Sequence, residues 1–161
     1  MNEQGQVIRN KARLVCKGYS QIKGLDYDEN FARVARMEAI IIFLDFSCYH
    51  DFKVYQMDVK SAFLNGDPEE EVYMEQPEGF SLADKHDYVC RLNKSLYGLK
   101  KAPCAWYSRL DKYFQKQGYK KGGVGNNLYI KVDENELLIV VVYVDDIMFG
   151  SNKDELVKGF T

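Results

Sequence analysis

The sequence contains few of the residues that interrupt or crosslink a chain, with three prolines and four cysteines among 161 residues. The cysteines form no C-x-x-C pair and have no histidine at zinc-ligand spacing, which argues against a zinc module and for free thiols. The longest apolar runs, 39–44 and 137–144, are far shorter than the roughly 20 residues that cross a bilayer. The start of the chain lacks the layout of a signal peptide. We therefore expect a soluble intracellular protein with no membrane partner.

Hydrophobic residues make up 46% of the chain, which is typical of a folded domain. A chain of this length can enclose one core but scarcely two. The net charge of −2 conceals a segregation of charge. Residues 91–121 hold nine basic residues against one acid, a local sum of +8, and residues 66–90 hold eight acids against Lys85. The basic stretch would suit a polyanion if folding gathers it on one face, although charge alone favours a solvated helix face.

The apolar residues repeat with two periods, one typical of strands and one typical of helices. Alternation predicts strands at 7–15, 52–59, 72–75, 89–92, 128–132 and 137–143, the last resuming at 147–149. Helical spacing predicts helices at 37–49 and from about 103 to 117, and a helical turn at 61–64. We expect an α+β fold with the helices packed on one face of an antiparallel sheet.

The predicted helix at 37–49 is apolar nearly all round, which is typical of a buried helix. Asp45 stands inside it, and a charge there costs several kcal/mol unless it is paired or points out of the core. The helix at 103–117 is amphipathic instead. Trp106 lies on its apolar face, and we expect it to be a core residue.

Three aspartates carry the chemistry that the sequence predicts. Asp145 and Asp146 lie at a tight turn between two apolar strands, and Asp58 lies at the end of another strand. Adjacent carboxylates raise each other's pKa unless a cation intervenes, so we expect a bound cation. Clustered carboxylates are the usual ligands of Mg²⁺. Two such ions, roughly 4 Å apart, activate a 3′-hydroxyl and stabilise a leaving pyrophosphate, which is polymerase or nuclease chemistry.

The competing explanation for this motif is a solvated turn, because Asp-Asp pairs are common in turns. An isolated pair would favour that explanation. The two flanking apolar strands and the third acid upstream favour a metal site instead. His50 and His86 have no acid or nucleophile at a recognisable spacing, so we assign them no catalytic role.

Five segments of the chain resemble, in order and spacing, the reverse transcriptase domain of copia-type retrotransposon polyproteins. They are KARLV at 11–15, VYQMDVKSAFLNG at 54–66, VYMEQPEGF at 72–80, SLYGLK at 95–100 and YVDD at 143–146. The resemblance covers nearly the whole chain. It implies an RNA-directed DNA polymerase with a right-hand architecture.

The resemblance also implies how this polymerase is organised and what it binds. The chain would be a single domain, truncated at both ends, with residues 1–35 fingers-like and residues 36–161 largely palm. Asp58, Asp145 and Asp146 would be the catalytic residues and the ligands of two Mg²⁺ ions, with Mn²⁺ as a substitute. The implied partners are an RNA template, a DNA primer, deoxynucleoside triphosphates and other polyprotein domains such as integrase and ribonuclease H. The implied location is the cytoplasm, in a virus-like particle, or the nucleus.

By the same resemblance, six residues would bind the incoming nucleotide: Lys11, Arg13, Phe63, Tyr97, Gly98 and Lys100. Lys11 and Arg13 would contact the triphosphate, and Phe63 would reject a 2′-hydroxyl. Arg109 and Lys112 would contact the nucleic-acid backbone. On residue type alone, Phe63 is better explained as a core aromatic, and Lys11 and Arg13 are nearly as well explained as part of a solvated edge strand.

Two further hypotheses stay open at the level of sequence. Asp45 in an apolar helix and Cys104 where arginine is usual depart from the family pattern, as expected for an element no longer under selection. Such a decayed fragment would bind only metal and nucleic acid. A plain acidic metal-binding or interaction domain would require the whole motif series to be coincidental.

Overall fold

Most helices and strands lie where the hydrophobic periodicity predicts them. The computed structural model of the chain describes residues 4–7, 10, 12–28, 37–80, 84, 87–123, 127–133 and 136–160. The helices in these ranges are α1 (Met37–Tyr49), α2 (Ala102–Lys116) and α3 (Asp154–Lys158). The strands are β1 (Lys53–Asp58), β2 (Tyr73–Met74), β3 (Cys90–Arg91), β4 (Lys120–Lys121), β5 (Leu128–Asp133), β6 (Glu136–Tyr143) and β7 (Asp146–Ser151). Short 3-10 helical turns lie at Gly18–Ser20 and Ala62–Asn65.

Five strands form one antiparallel sheet in the order β1-β7-β6-β5-β4, and β2 pairs with β3 separately. β6 and β7 form the central hairpin, and the β-branched residues of β6 suit a strand that is buried on both sides. β1 is the edge strand beside β7, so the sheet brings the ends of these two strands together. The predicted mixed fold with an antiparallel sheet is confirmed. In the described part of the chain, no helix has the length and hydropathy that a membrane span requires.

Both faces of this sheet are covered, one by α2 and α3 and the other by α1. Leu138 and Val140 of β6 join a core with α2 and α3. The alternate residues Ile139 and Val141 pack with Phe43 of α1. The prediction that the helices lie on one face is therefore wrong. The reason is the uninterrupted apolar run at 137–142, which leaves no polar face for solvent.

α1 has the predicted bounds, Met37–Tyr49, but it is not buried all round. Phe43 and Ser47 are its buried residues, whereas its outer face exposes large apolar side chains, namely Met37, Ile41, Ile42 and Leu44. A helix that lies on a sheet buries only one stripe of its surface. The prediction of a fully buried helix is therefore wrong. Asp45 lies on the exposed side, so its charge stays in water.

Residues 12–17 dock against the loop that leads into α2, and the described residues of the predicted strand at 7–15 form no strand. Residues 8, 9 and 11 lie outside the described residues, and none of residues 12–17 belongs to a strand. The Cys16 N–H donates to Tyr97 O at 2.7 Å. Gly18 and Gly98 lie so close that a Cβ on either would overlap the main chain of the other segment. The main chain of this segment therefore bonds to a loop rather than to a neighbouring strand.

The turn Ala62–Asn65 is seated on the first turns of α2 through Gly66. The Gly66 N–H donates to Phe63 O at 3.0 Å, and Gly66 O accepts from the Ser95 N–H at 2.9 Å. A Cβ on Gly66 would lie 2.8 Å from the main-chain nitrogen of Trp106. Glycine at this position therefore allows the turn that carries Phe63 to contact the helix directly.

Gly66→Ala is expected to lower the free energy of unfolding by about 1–3 kcal/mol, the usual cost of overpacking. Gly66 has a φ of −74°, which alanine adopts freely, so the penalty comes from the contact with α2 and not from the backbone conformation. Chemical denaturation measures the change. Gly123→Ala is the control, because a Cβ there meets no atom within 4 Å. Equal unfolding free energies for Gly66→Ala and wild type would contradict this close seating.

Candidate active site

The register of β1 and β7 sets Asp58 directly opposite Asp146. Side chains opposite each other in an antiparallel pair share one face of the sheet, with Cβ atoms typically about 4.5–5.5 Å apart. The preceding pair, Met57 and Ile147, packs into the core beneath α2. Asp58 and Asp146 therefore point to the other face, the one that α1 covers. Asp58 is exposed and Asp146 is half-buried.

Asp145 lies in the turn that joins β6 to β7. Tyr143 pairs with Asp146, so Val144 and Asp145 form a two-residue hairpin loop. Val144 has a φ of +57° and Asp145 does not have a positive φ, the combination found in type II′ turns. Glycine is the usual residue at this position, and a β-branched residue there is strained. Such strain, of order 1–3 kcal/mol, persists only where the surroundings hold it.

Two aromatic side chains of α2 hold the main chain of Val144. The indole Nε1–H of Trp106 donates to Val144 O at 2.6 Å. The Val144 N–H donates to the hydroxyl oxygen of Tyr107 at 2.9 Å. Burial raises the pKa of Tyr107, the hydrogen bond from Val144 opposes this rise, and the nearby charge of Asp145 adds to it. The phenol therefore stays neutral at neutral pH.

The three carboxylates are near one another in the backbone but do not form a closed cage. Gln56, two residues before Asp58 on β1, donates from Nε2 to Asp146 Oδ1 at 2.9 Å. The Asp145 carbonyl accepts from the Val59 N–H at 2.8 Å, which extends the pairing of β1 beyond Asp58. Among the described residues, no group of three or more acids, histidines or cysteines is arranged to hold a metal ion.

The chemistry of these three side chains, though not their arrangement, suits a divalent cation. Asp58, Asp145 and Asp146 supply hard carboxylate oxygens, which are the ligands that Mg²⁺ prefers. Within the described ranges, no lysine or arginine pairs with any of these three acids. Their negative charges are therefore not compensated by the described protein, and a bound cation would stabilise them.

Four of the predicted nucleotide-binding residues lie together near the start of α2. The guanidinium of Arg13 lies 4.6 Å from the centre of the Tyr97 ring. The rings of Phe63 and Tyr97 are 4.9 Å apart. Gly98 follows directly, with a φ of +91°. Lys11 lies outside the described residues.

The remaining predicted contacts are dispersed. The Lys100 N–H donates to Gln21 Oε1 at 2.9 Å, which ties the loop to the N-terminal segment. Arg109 lies 3.4 Å from Asp67, which also pairs with Lys94. The hydrogen bond from Lys94 lowers the pKa of Asp67, and Arg109 adds to this effect. Lys112 is exposed on α2.

Reasoning from sequence missed the roles of three residues at this site. Trp106 is buried as predicted, but its N–H also holds the turn, and Tyr107 and Gln56 were not singled out. A buried tryptophan N–H usually needs an acceptor, which is a signal for Trp106. Gln56 lies two residues from Asp58 on a strand and therefore on the same face. No local signal connects Tyr107 with a turn so far along the chain.

Comparisons with known proteins agree on one family. Residues 1–161 match the family described as reverse transcriptase (RNA-dependent DNA polymerase). The chain is similar to a retrovirus-related Pol polyprotein from transposon TNT 1-94 of Nicotiana tabacum, with 48% identity over 95% of this chain and 12% of that protein. For the polyprotein from transposon RE2 of Arabidopsis thaliana, the identity is 43% over 98% of this chain and 11% of that protein.

A more distant relative is the transposon Ty1-MR1 Gag-Pol polyprotein of Saccharomyces cerevisiae, with 31% identity over 89% of this chain and 8% of that protein. The chain thus spans about a tenth of the length of these three relatives. No solved structure matches the chain.

Proposed function

Because the chain belongs to the reverse transcriptases (RNA-dependent DNA polymerases) of copia-type retrotransposons, we propose that it adds deoxynucleotides to a primer 3′-hydroxyl at Asp58, Asp145 and Asp146. The observation that carries this proposal is the register of β1 and β7, which sets Asp58 opposite Asp146 and next to the turn that holds Asp145. Sequence separation alone gives no reason for these acids to meet. Their proximity at the adjoining ends of β1 and β7 supports a shared chemical task.

The three aspartates are the proposed ligands of two Mg²⁺ ions, for which Mn²⁺ can substitute. When bound, these ions supply Lewis-acid activation of the 3′-hydroxyl and charge neutralisation at the leaving pyrophosphate. The protein contributes orientation. Gln56 holds Asp146 by its hydrogen bond to Oδ1, and Val59 holds the main chain of Asp145.

The nucleotide side of the proposed site comprises Arg13, Phe63, Tyr97, Gly98 and Lys100. Lys11 is assigned to it from the family resemblance alone. The stacking of Arg13 on Tyr97 and the contact of Phe63 with Tyr97 support this grouping. Arg13 is suited to clamp the triphosphate, because its guanidinium donates several hydrogen bonds in a plane. Phe63 is suited to reject a 2′-hydroxyl by its bulk.

The larger assignments follow the family. We assign residues 1–35 to a fingers-like part and residues 36–161 largely to the palm. Arg109 and Lys112 are proposed contacts to the nucleic-acid backbone, and Arg109 would exchange Asp67 for a phosphate. The proposed partners are an RNA template, a DNA primer, deoxynucleoside triphosphates and other Pol polyprotein domains such as integrase and ribonuclease H. The proposed location is intracellular, in the cytoplasm or nucleus.

Primer extension on poly(rA)/oligo(dT) with titrated Mg²⁺ tests this function. We expect extension that depends on Mg²⁺, with Mn²⁺ as a substitute, and binding of the primer–template that weakens steeply with salt. Asp145→Asn purified in the same way is the control for contaminating polymerases, because these also depend on divalent cations. Salt-sensitive binding without any extension would contradict polymerisation by this chain and would support a fragment that only binds metal and nucleic acid.

A further inference from the structure

The geometry points to Trp106 and Tyr107 as positioning residues that hold the turn at Val144, and through it Asp145 and Asp146, in the arrangement facing Asp58. This inference rests on the proposed function, because the turn matters for catalysis only if its aspartates do the chemistry. Neither Trp106 nor Tyr107 is expected to touch the substrate. Their task is to fix the main chain that carries the acids.

The two hydrogen bonds fix the two peptide planes that meet at Val144. The plane before Val144 carries its N–H, which donates to the Tyr107 hydroxyl at 2.9 Å. The plane after Val144 carries its C=O, which accepts from Trp106 Nε1 at 2.6 Å. Since φ and ψ describe the rotation of these two planes about one Cα, both torsions of Val144 are held from outside the hairpin. A flip of either plane would break one bond and turn Asp145.

The turn needs this support because its own hairpin does not supply it. The ladder of β6 and β7 ends with the pair of Tyr143 and Asp146, so Val144 lies beyond it in the loop. Its φ of +57° is unfavourable for a β-branched side chain. Main-chain groups removed from water also need partners. Trp106 and Tyr107, both on α2, hold Val144 in this conformation and give its main-chain N–H and C=O their hydrogen-bond partners.

The two supporting side chains are buried in the core. Trp106 is 4% exposed and Tyr107 is 2% exposed, so neither side chain has room to choose another rotamer freely. The same stretch of α2 seats Gly66, next to the turn that carries Phe63. The buried face of α2 therefore sets the position of the carboxylate turn relative to the proposed nucleotide side.

Tyr107→Phe is the principal test, because it keeps the ring and removes only the hydroxyl that accepts from Val144. We expect Mg²⁺ to bind roughly 10–100-fold more weakly, the usual effect of losing a residue that orients metal ligands. Titration calorimetry of the 161-residue chain measures the affinity. Trp106→Phe is expected to act in the same direction. Tyr113→Phe, an exposed tyrosine on the same helix, is the matched control and should leave Mg²⁺ binding unchanged.

Val144→Gly separates positioning from general stability. Glycine adopts a positive φ without strain, so the turn should need less support. In the Val144→Gly background, Tyr107→Phe is expected to have an effect on Mg²⁺ binding that is smaller by roughly fivefold or more. An equal effect in both backgrounds, or an effect below about twofold in wild type, would overturn the inference.

Asp145→Asn distinguishes failure of the inference about Trp106 and Tyr107 from failure of the proposed function. Loss of Mg²⁺ binding with Asp145→Asn but not with Tyr107→Phe would overturn only the role of the two aromatic residues. Unchanged Mg²⁺ binding with Asp145→Asn would show that the aspartates are not the metal site. The proposed function would then be wrong, and the inference that rests on it would be wrong as well.

Discussion

Asp145→Asn is expected to lower the rate of deoxynucleotide addition by roughly 10³-fold or more, the scale of losing a central electrostatic group from an active site. Asparagine has nearly the same shape as aspartate, but it lacks the negative charge and one of the oxygens that a divalent cation binds. The main-chain carbonyl of residue 145 keeps its hydrogen bond from Val59. The fold should therefore survive while the chemistry is lost. Primer extension measures the rate.

The free energy of unfolding of Asp145→Asn should not fall with its activity. Asp145 and Asp146 are adjacent, and Asp58 lies opposite Asp146, so removing one charge relieves repulsion. We expect Asp145→Asn without metal to be at least as stable as wild type. Asp133→Asn is the matched control, because Asp133 ends a strand at the other hairpin of β6. If both variants lost activity equally, the special role of Asp145 would be refuted.

Gly98→Ala is expected to lower the free energy of unfolding by about 2–5 kcal/mol, or to detach the N-terminal segment from the loop before α2. Two separate penalties combine at this position. Gly98 has a φ of +91°, which alanine rarely adopts. Its Cβ would also overlap Cys16 O and lie 2.8 Å from Val15 Cγ1. Because Arg13 stacks on Tyr97 next to this contact, detachment would also separate the proposed nucleotide-binding residues.

Hydrogen exchange of the Cys16 amide and chemical denaturation measure the two outcomes. Gly118→Ala is the control, because Gly118 also has a positive φ, +82°, but a Cβ there meets no atom within 4 Å. It should show the conformational penalty alone, of about 1 kcal/mol. If Gly98→Ala cost no more than Gly118→Ala, the close approach of Gly98 and Cys16 would not hold.

The sequence predicted the positions of helices and strands better than it predicted which strands pair with each other. The helices at α1 and α2 and the central hairpin follow from hydrophobic period, which is a local property. The pairing of β1 with β7 is a contact between distant segments, and no local pattern fixes its register. The positions of Asp58, Asp145 and Asp146 at strand ends suggested that the three acids meet, and the family resemblance implied the same grouping, but neither gave the register that the structure shows.

The errors have physical causes in particular residues. The run at 137–142 was treated as an ordinary strand, although its unbroken apolar character indicates two covered faces. The alternation at 7–15 suggested a strand, but the described part of that segment bonds to the loop at Tyr97 and Gly98. The prediction that Trp106 is a core residue is confirmed, but a buried indole N–H also needs an acceptor, and that requirement indicates its second role at the turn.

The hydrogen bond between Trp106 and the turn also gives the chain its own optical probe. Trp106 is the one tryptophan in the sequence, so all indole fluorescence comes from a ring that is hydrogen-bonded to Val144 O. The emission of an indole depends on the polarity and hydrogen bonding around it. Binding of a cation, a nucleotide or a primer–template that shifts this turn is thus open to observation by fluorescence, without any label.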